Sequence, residues 1–453
     1  LLSSIRLKNF RAFTDTSPIG LAPLTIIVGP NNAGKSSLLN SLLLLKQSVA
    51  DESSSEPLTV SGPTVDLGSF DDIVRGGTQH RDRQISIDLE VDKSWAEDSI
   101  LQIEGLEPTR HIIGNRLSLS FGFDPAANRI DLTKSGFFNG RSAALEARRD
   151  SRSGNLVLRI PGFSRTQIQA LQPDLDRIIL SLDVRDVDAY SGFGDQLGSS
   201  LLHARYEALQ QRSNWLSLLS GIEHIDPLRD PIPRFTVLGR TASSAEGVGT
   251  GGEELLRILR SSRSGKNNPL VRAMDYWVSE RFGLLDRLRL VDVDEAGRII
   301  SLLGDEAEGM PGINVANMGE GISQLLPIVA SILLLPKRGT LLIEQPEIHL
   351  PPAAQADLGD FFVWAADASS STPRQLLVET HSEHLLLRVR RRIAEGEIDP
   401  KLVSVLYVEK PRKVARVRQL KIDERGSFEE WPEGFFEEGY EEALQLARAA
   451  ARQ

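Results

Sequence analysis

The chain has 453 residues, a formal charge of −10, 40% hydrophobic and 25% charged residues, and no cysteine. That length argues for two or three folding units rather than one core, and the missing thiols exclude both a disulfide framework and a zinc–thiolate site, in keeping with a reducing cytoplasm. The excess of acid argues against a protein that coats nucleic acid nonspecifically, because such binders rely on many Lys and Arg facing phosphates.

The predicted elements begin with a strand at residues 5–10 and a second at 24–28, which is almost wholly apolar and β-branched. Residues 1–13 set Arg6, Lys8 and Arg11 between isolated apolar positions and lack the pattern of a signal peptide. An unbroken apolar strand such as 24–28 is normally buried on both faces, as in a parallel α/β sheet. A Gly-rich loop (29–34), a helix from about 35 to 49 and a Ser/Glu-rich linker (51–57) follow. Between 58 and 158 short alternating segments, such as QISIDLEV (84–91) and RLSLSFGF (116–123), predict antiparallel strands with one wet face.

Residues 166–219 are expected to be helical, with apolar spacings of three and four in 178–182 and 201–219. A Pro-rich connector (226–234), a Gly/Ser-rich stretch (242–252), a helical region (253–288) and a strand pair at 288–293 and 298–303 come next. Beyond 310 the buried α/β pattern returns. A loop, NMGEG (317–321), leads to an apolar helix, a strand at 340–344, a helix, a strand at 375–379, a helix to about 393 and a strand at 402–408. The apolar runs 38–45 and 325–335 are shorter than the about 18–20 residues that span a bilayer. The predicted architecture is an α/β head assembled from both chain ends around a large insertion. Its parts are residues 1–57, a β-rich arm at 58–165, a mainly helical insertion at 166–309, and 310–453.

Residues 29–36, Gly-Pro-Asn-Asn-Ala-Gly-Lys-Ser, match G-x-x-x-x-G-K-[ST] at every fixed position. Small residues let successive backbone N–H groups wrap a phosphate chain, and a helix starting near Lys35 adds its positive end. Lys35 would neutralise the β/γ oxygens, and the Ser36 hydroxyl would coordinate Mg²⁺. The alternative is a fortuitous Gly-rich turn, but the context the motif needs, a buried strand before and a helix after, is also present. Leu341-Leu342-Ile343-Glu344 is an apolar strand ending in a carboxylate. Either the charge simply ends a strand, or Glu344 holds Mg²⁺ for a nucleotide, directly or through water. The strand 375–379 delivers Thr380 and His381 at its C-terminal end, where ligands of open α/β sheets sit. A His there can hydrogen-bond a γ-phosphate and sense its loss. His384, three residues on, would pair with His381 on a helix as metal ligands, with no obvious further ligand set.

The strings IRLKNFRAF (5–13), GPNNAGKSS (29–37), GEGISQLLP (319–327), EQPEIHLPP (344–352) and ETHSEH (379–384), in this order, resemble the ABC-type ATPases of the SMC/RecF/OLD branch. The likeness is closer to prokaryotic AAA ATPases of the kind found in anti-phage defence systems such as Septu, Gabija and PARIS. WPEGFFEE (431–438) is similar to the tail of that group, and the middle is similar only through LGSFDDIV (67–74) and PLRDPIPR (227–234). The resemblance implies an ABC-type P-loop ATPase head with ATP and Mg²⁺ as cofactors. It implies nucleotide contacts from Asn31, Asn32, Ala33, Gly34, Lys35, Ser36, Ser37 and Arg11, and a metal held by Ser36 and Glu344. It further implies a head-to-tail homodimer sandwiching two ATP molecules, in which Met318, Gly319, Glu320 and Gly321 of a second copy complete each site. Without the resemblance, the plainer reading of that loop is a flexible turn before a core helix.

The chain departs from the ABC pattern in several places. The position of the usual catalytic Glu holds Gln345, which can orient water but accepts a proton poorly; Glu347 is the nearest alternative carboxylate. The usual His-Leu-His-Pro reads His349-Leu350-Pro351-Pro352, the signature loop lacks the Ser before its first Gly, and no glutamine for coupling the two lobes can be placed, Gln47 lying at the far end of the loop helix. Firm ATP binding with slow hydrolysis is expected, with Gln345, Glu347 and His381 as the catalytic set. The function expected is a sensor or scaffold subunit of a bacterial defence or DNA-maintenance complex, with ATP as dimer glue and a separate effector such as a nuclease. Alternatives are a self-contained OLD-type nuclease, for which LVSVLYVE (402–409) resembles a first TOPRIM strand without an Asp-x-Asp pair behind it, and a DNA repair or recombination clamp. Arg388, Arg390, Arg391 and Arg392, and Lys410, Arg412, Lys413, Arg416 and Arg418, are either contacts for DNA or RNA phosphates or solvated faces paired with nearby Glu. The acidic, aromatic tail 428–442 suggests docking, onto its own head or a partner.

Overall fold

A computed structural model of the chain describes residues 1–51, 54–76, 84–92, 114–140, 142–150, 153–184, 195–238, 247–264, 267–305, 312–367, 374–411, 414–430, 432 and 448. These fold as two compact units, each assembled from separate stretches of chain. One contains Leu1–Leu21, Asn31–Ile222 and Val408–Val417; the other contains Ala22–Pro30, Glu223–Tyr407 and Arg418–Gln453.

The first unit is organised by an eight-stranded antiparallel sheet. Its spine runs through Leu2–Phe10, Gln84–Val91, Arg116–Asp124, Arg129–Asn139, Ser142–Arg149 and Leu156–Arg159, with two short N-terminal strands against Leu2–Phe10. The period-two pattern of QISIDLEV explains the pairing. Ile85, Ile87, Leu89 and Val91 are buried and meet Leu7 and Ile5 on one side and Leu117, Leu119 and Phe121 on the other. The strand predicted at 5–10 therefore belongs to this antiparallel sheet.

In the same unit the helix Lys35–Ala50 buries Leu38, Leu39 and Leu42 through Leu45. Gln47, 2% exposed, closes its last turns onto the following loop. Its Nε2 donates to the Thr59 and Val65 carbonyls at 2.9 and 3.0 Å, and its Oε1 accepts from the Thr64 and Val65 amides at 2.9 Å.

The region expected to be helical from 166 departs from that expectation between 171 and 184. Leu171–Asp174 and Ser181–Val184 form an antiparallel hairpin in the register Leu171↔Val184 to Asp174↔Ser181. Pro173 has no N–H to donate inside a helix, and burial alternates, with Leu171, Leu182 and Val184 inside and Gln172, Asp174 and Asp183 outside. The long helix follows as Asp195–Ser220.

The second unit is organised by a six-stranded sheet in the order Ile222–Ile225, Thr340–Glu344, Gln375–Glu379, Leu24–Val28, Val403–Glu409 and Arg416–Leu420. The four strands from Thr340–Glu344 to Val403–Glu409 are parallel neighbours, in registers that include Leu341↔Leu376, Val378↔Ile26 and Val405↔Ile26. Strands covered on both faces lose the polar alternation, which is why LTIIV and QLLVE are buried at every position.

The helices Glu320–Leu334, Pro352–Ala366 and Glu383–Ala394 supply much of this unit's core. The last two approach so closely that a Cβ on Gly359 would lie 3.0 Å from the Arg388 Cβ. The helical region 253–288 is broken into Leu255–Ser261 and Pro269–Asp275, the latter capped by Asn268 and continuing into a π turn, Tyr276–Arg281, that sets Trp277 4.4 Å from the Phe361 ring. The predicted strand pair is present as Arg287–Asp292 and Ile299–Asp305.

The Gln47 clasp is open to test. In Gln47→Leu two amides and two carbonyls lose their hydrogen bond to this side chain, and the change is expected to cost about 1–3 kcal/mol, read as a lower midpoint in urea unfolding.

Candidate functional site

The phosphate loop leaves the sheet at Val28 and passes through three positive-φ residues: Gly29 at 141°, Asn32 at 59° and Gly34 at 112°. Glycine and asparagine are the residues that tolerate this backbone. Gly34 is also hemmed in: a Cβ there would lie 3.1 Å from the Ala12 Cβ, 3.5 Å from the Phe13 ring and 3.6 Å from the Ala415 Cβ. The motif IRLKNFRAF thus has a physical connection with the loop, since its last two residues back Gly34. Arg11, left-handed at φ 48°, is exposed, and its amide donates to the Ile73 carbonyl at 2.7 Å.

Lys35 is 4% exposed and Ala33 is buried. The N-cap of the helix Lys35–Ala50 is Gly34, which makes no side-chain cap hydrogen bond, and the first turn holds no acid. The first-turn N–H groups and the positive end of the helix dipole are the elements with which such a terminus holds an anion. Asn31, Asn32, Ala33, Gly34, Lys35, Ser36 and Ser37 all lie in this loop or the first helical turn.

In the other unit, parallel pairing brings several strand ends to one edge. Glu344 stands opposite Glu379, and Glu379 opposite Ile27. The Gln345 amide donates to the Glu379 carbonyl at 2.8 Å, and the Thr380 amide to the Ile27 carbonyl at 3.1 Å. Beside them the loop's first residues, Gly29 and Pro30, leave the same edge. His224 Nε2 lies 3.0 Å from Glu344 Oε1, and its buried Nδ1 lies 3.5 Å from the Asp226 carboxylate.

These three residues hold ligand atoms within 4.8 Å of one another, the one such group among the described residues. Carboxylate oxygens beside an imidazole suit a divalent cation, so the Glu344 end of the site fits a metal. His381 and His384 join no such group among the described residues. His224 and Asp226 were not singled out from the sequence; nothing in IEHID marks them.

Glu347 fastens the turn after Glu344. Its Oε2 accepts from Thr380 Oγ1 at 2.7 Å and its Oε1 from the His381 amide at 2.6 Å. Burial pushes this carboxyl above the usual range, and those two hydrogen bonds oppose the shift. Within the turn, Gln345 and His349 take left-handed backbones at φ 45° and 62°. For residues with a Cβ that conformation costs roughly 1–2 kcal/mol each.

The signature helix begins at Glu320, two residues before the expected start, with Gly319 at its N-cap. Gly321 therefore lies inside the first turn, where a Cβ would meet the His349 carbonyl oxygen at 2.7 Å. Glu320 Oε2 lies 3.2 Å from His349 Nδ1, and Met318 packs partly buried against the core.

Arg229, within the string PLRDPIPR, has a role that only its distant partners reveal. It is 4% exposed. Nη2 donates to the Glu344 and Gln345 carbonyls at 3.2 and 3.0 Å, Nη1 to the Gln324 carbonyl at 3.1 Å, and Nε to the Asp226 carbonyl at 3.1 Å. The Gln324 side chain returns the contact: Oε1 accepts from the Arg229 amide at 3.3 Å and Nε2 donates to its carbonyl at 3.0 Å. Burial lowers the guanidinium to about 10, which leaves it charged at neutral pH.

The basic helix is largely neutralised within this unit. Arg388 pairs with Asp357 and Asp360, Arg392 with Asp360, Glu395 and Glu397, and Arg391 with Glu395. Arg390 donates to the Gly426 carbonyl and lies over the Phe428 ring at 5.1 Å. Phe428, the first aromatic of the tail, thus docks on its own unit. Arg412, Lys413, Trp431, Phe435, Phe436 and Tyr440 lie outside the described residues.

Gly321→Ala is expected to destabilise the chain by about 1–3 kcal/mol through overpacking against the His349 backbone. Differential scanning calorimetry of the variant checks this, and an unaltered midpoint contradicts the close approach.

Residues 24–388 match the family described as "AAA domain, putative AbiEii toxin, Type IV TA system", and residues 398–446 match a family described as "Protein of unknown function (DUF3696)". The chain is similar to an ATP/GTP phosphatase of Helicobacter pylori, at 49% identity over 45 residues. That stretch is 10% of this chain and 12% of that protein. Among solved structures it is similar to an Smc head bound to the C-winged helix domain of ScpA (13% identity, 93% of this chain and 98% of that one, TM-score 0.43). It is also similar to the Smc head with an extended coiled coil from Pyrococcus furiosus bound to the C-terminal domain of ScpA (12%, 99% and 99%, 0.40). A third is the SMC head domain from Thermotoga maritima (13%, 93% and 99%, 0.38). Since the first match spans residues 24–388 of 453, the chain belongs to that AAA domain family of P-loop ATPases.

Proposed function

We propose that this chain binds ATP with Mg²⁺, hydrolyses it slowly, and uses the bound nucleotide to dimerise as the sensor or scaffold subunit of a defence or DNA-maintenance complex with a separate effector. The observation that carries the reading is the phosphate loop. A complete motif takes left-handed turns at Gly29, Asn32 and Gly34 and runs into a helix whose N-cap is Gly34, in a chain of an ATPase family.

In this reading the amides of Asn31 to Ser37 wrap the phosphates, Lys35 neutralises them, and Arg11 adds a further contact. Ser36 and Glu344 hold the magnesium, with His224 orienting the Glu344 carboxylate through its 3.0 Å contact. A cation held there would supply Lewis-acid neutralisation of phosphate charge. Gln345 orients the attacking water, His381 hydrogen-bonds the γ-phosphate, and Glu347, whose proton affinity burial raises, takes up the proton. Met318, Gly319, Glu320 and Gly321 of a second copy complete the site. The segment that resembles a TOPRIM strand, by contrast, is paired along Val403–Tyr407 with Leu24–Val28 as a member of the head sheet.

Isothermal calorimetry with Mg-ATP tests the binding. The unaltered chain is expected to give a saturable heat that Lys35→Ala abolishes, and absence of heat in the unaltered chain sinks the reading. Single-turnover hydrolysis tests the roles. Gln345→Glu is expected to accelerate the step and Glu347→Gln to slow it by about 10²-fold. A base works deprotonated, so turnover is expected to fall on acidification through a pKa above the ordinary carboxylate range, and Glu347→Gln to flatten that limb. A rapid native rate indifferent to both substitutions contradicts the assignment.

A further inference from the structure

We propose that Arg229 is a positioning residue that makes the acid turn and the signature helix one mechanical element. It does so by holding the strained backbone of Gln345 against Gln324. The inference deepens the ATPase reading above and rests on it for what Gln345 and the signature loop do.

The geometry has three parts. First, Gln345 sits at φ 45°, a conformation that persists in a residue with a Cβ only when its surroundings over-determine it. The Gln345 amide is fixed by the Glu379 carbonyl at 2.8 Å and its carbonyl by Arg229 Nη2 at 3.0 Å. Both sides of the strained residue are therefore gripped. Second, the same guanidinium reaches the Gln324 carbonyl at 3.1 Å, one turn into the helix that carries the signature loop, and the Gln324 amide closes a reciprocal pair with the Arg229 backbone. Third, Arg229 is almost wholly buried, and its hydrogen bonds go to four backbone carbonyls rather than to a carboxylate.

A buried cation satisfied by neutral carbonyls is an expensive way to join two segments, and apolar packing would hold them at lower cost. What the fork adds is direction. Carbonyls at 324, 344 and 345 must all point at one planar group, so a shift of the signature helix changes the aim of the Gln345 carbonyl and the reverse. Glu347, the carboxylate that also fastens Thr380 and His381, is the leading charge acting on this guanidinium. The element therefore joins the proposed γ-phosphate contact to the loop offered to a second copy.

The test uses the full chain with Arg229→Lys, which keeps a charge but loses the fork, and Gln324→Leu, which breaks the reciprocal pair from the other side. Hydrogen–deuterium exchange without nucleotide is expected to rise at least tenfold in residues 344–350 and 320–326 together, in both variants. With ATP, kcat and ATP-driven self-association are expected to fall at least tenfold while KM stays within about threefold, and the double variant is expected to be no worse than either single one. Exchange that rises in one segment alone, or a kcat that holds while KM rises, overturns the coupling. Because the exchange arm needs no ATP, it judges Arg229 even if calorimetry shows that the unaltered chain binds no nucleotide. Should Arg229→Lys fail to fold, Gln324→Leu carries both readouts.

Discussion

The parallel pairing of Leu24–Val28 with Gln375–Glu379 and Val403–Tyr407 is the constraint on which the second unit depends. A parallel ladder gives every strand the same sense, so all that leaves the C-terminal ends leaves one edge. Gly29, Glu344 and Thr380 come from positions up to about 350 residues apart in sequence and share that edge only because of register. A slip of one residue would turn the buried side chains of LTIIV to the opposite face and move the start of the phosphate loop by about 3.3 Å.

Around this edge the polar chemistry is done largely by backbone. Arg229 satisfies carbonyls, Glu347 accepts from a hydroxyl and an amide, and the strand-end amides donate across the ladder. Backbone carbonyls cannot be removed by substitution, amides only by proline, and neither has rotamers to lose, so an edge built from them is stiff and pre-oriented. The left-handed backbones at Gln345 and His349 are the local cost of that arrangement.

How far the sequence revealed this depends on the kind of signal each residue carries. The phosphate loop was legible because three spaced identities and a flanking apolar strand are a dense local code. The strands at 340–344 and 375–379 were legible because burial on both faces leaves a continuous apolar run. The hairpin at 171–184 reads as helix in the sequence because Ile178, Ile179, Leu180 and Leu182 satisfy both periods over so short a span, and only Pro173 speaks against it. Arg229, Gln324 and His224 were illegible as a site because their partners lie 95 to 120 residues away, and one sequence has no means of showing which distant residues touch.

The order of the strands also bears on synthesis. Leu24–Val28 leaves the ribosome well before both of its sheet neighbours, which are encoded about 350 residues or more downstream, roughly 20–70 s later at ordinary elongation rates. Throughout that interval a five-residue segment of high β-propensity and no charge waits without its ladder, in the condition in which nascent chains pair wrongly with one another. Gly29 and Pro30 follow it directly, with Asn31, Asn32 and Lys35 just beyond, and a proline and a charge flanking such a run disfavour that pairing. The loop whose left-handed turns suit a phosphate thus also makes a poor continuation for a wrongly paired strand.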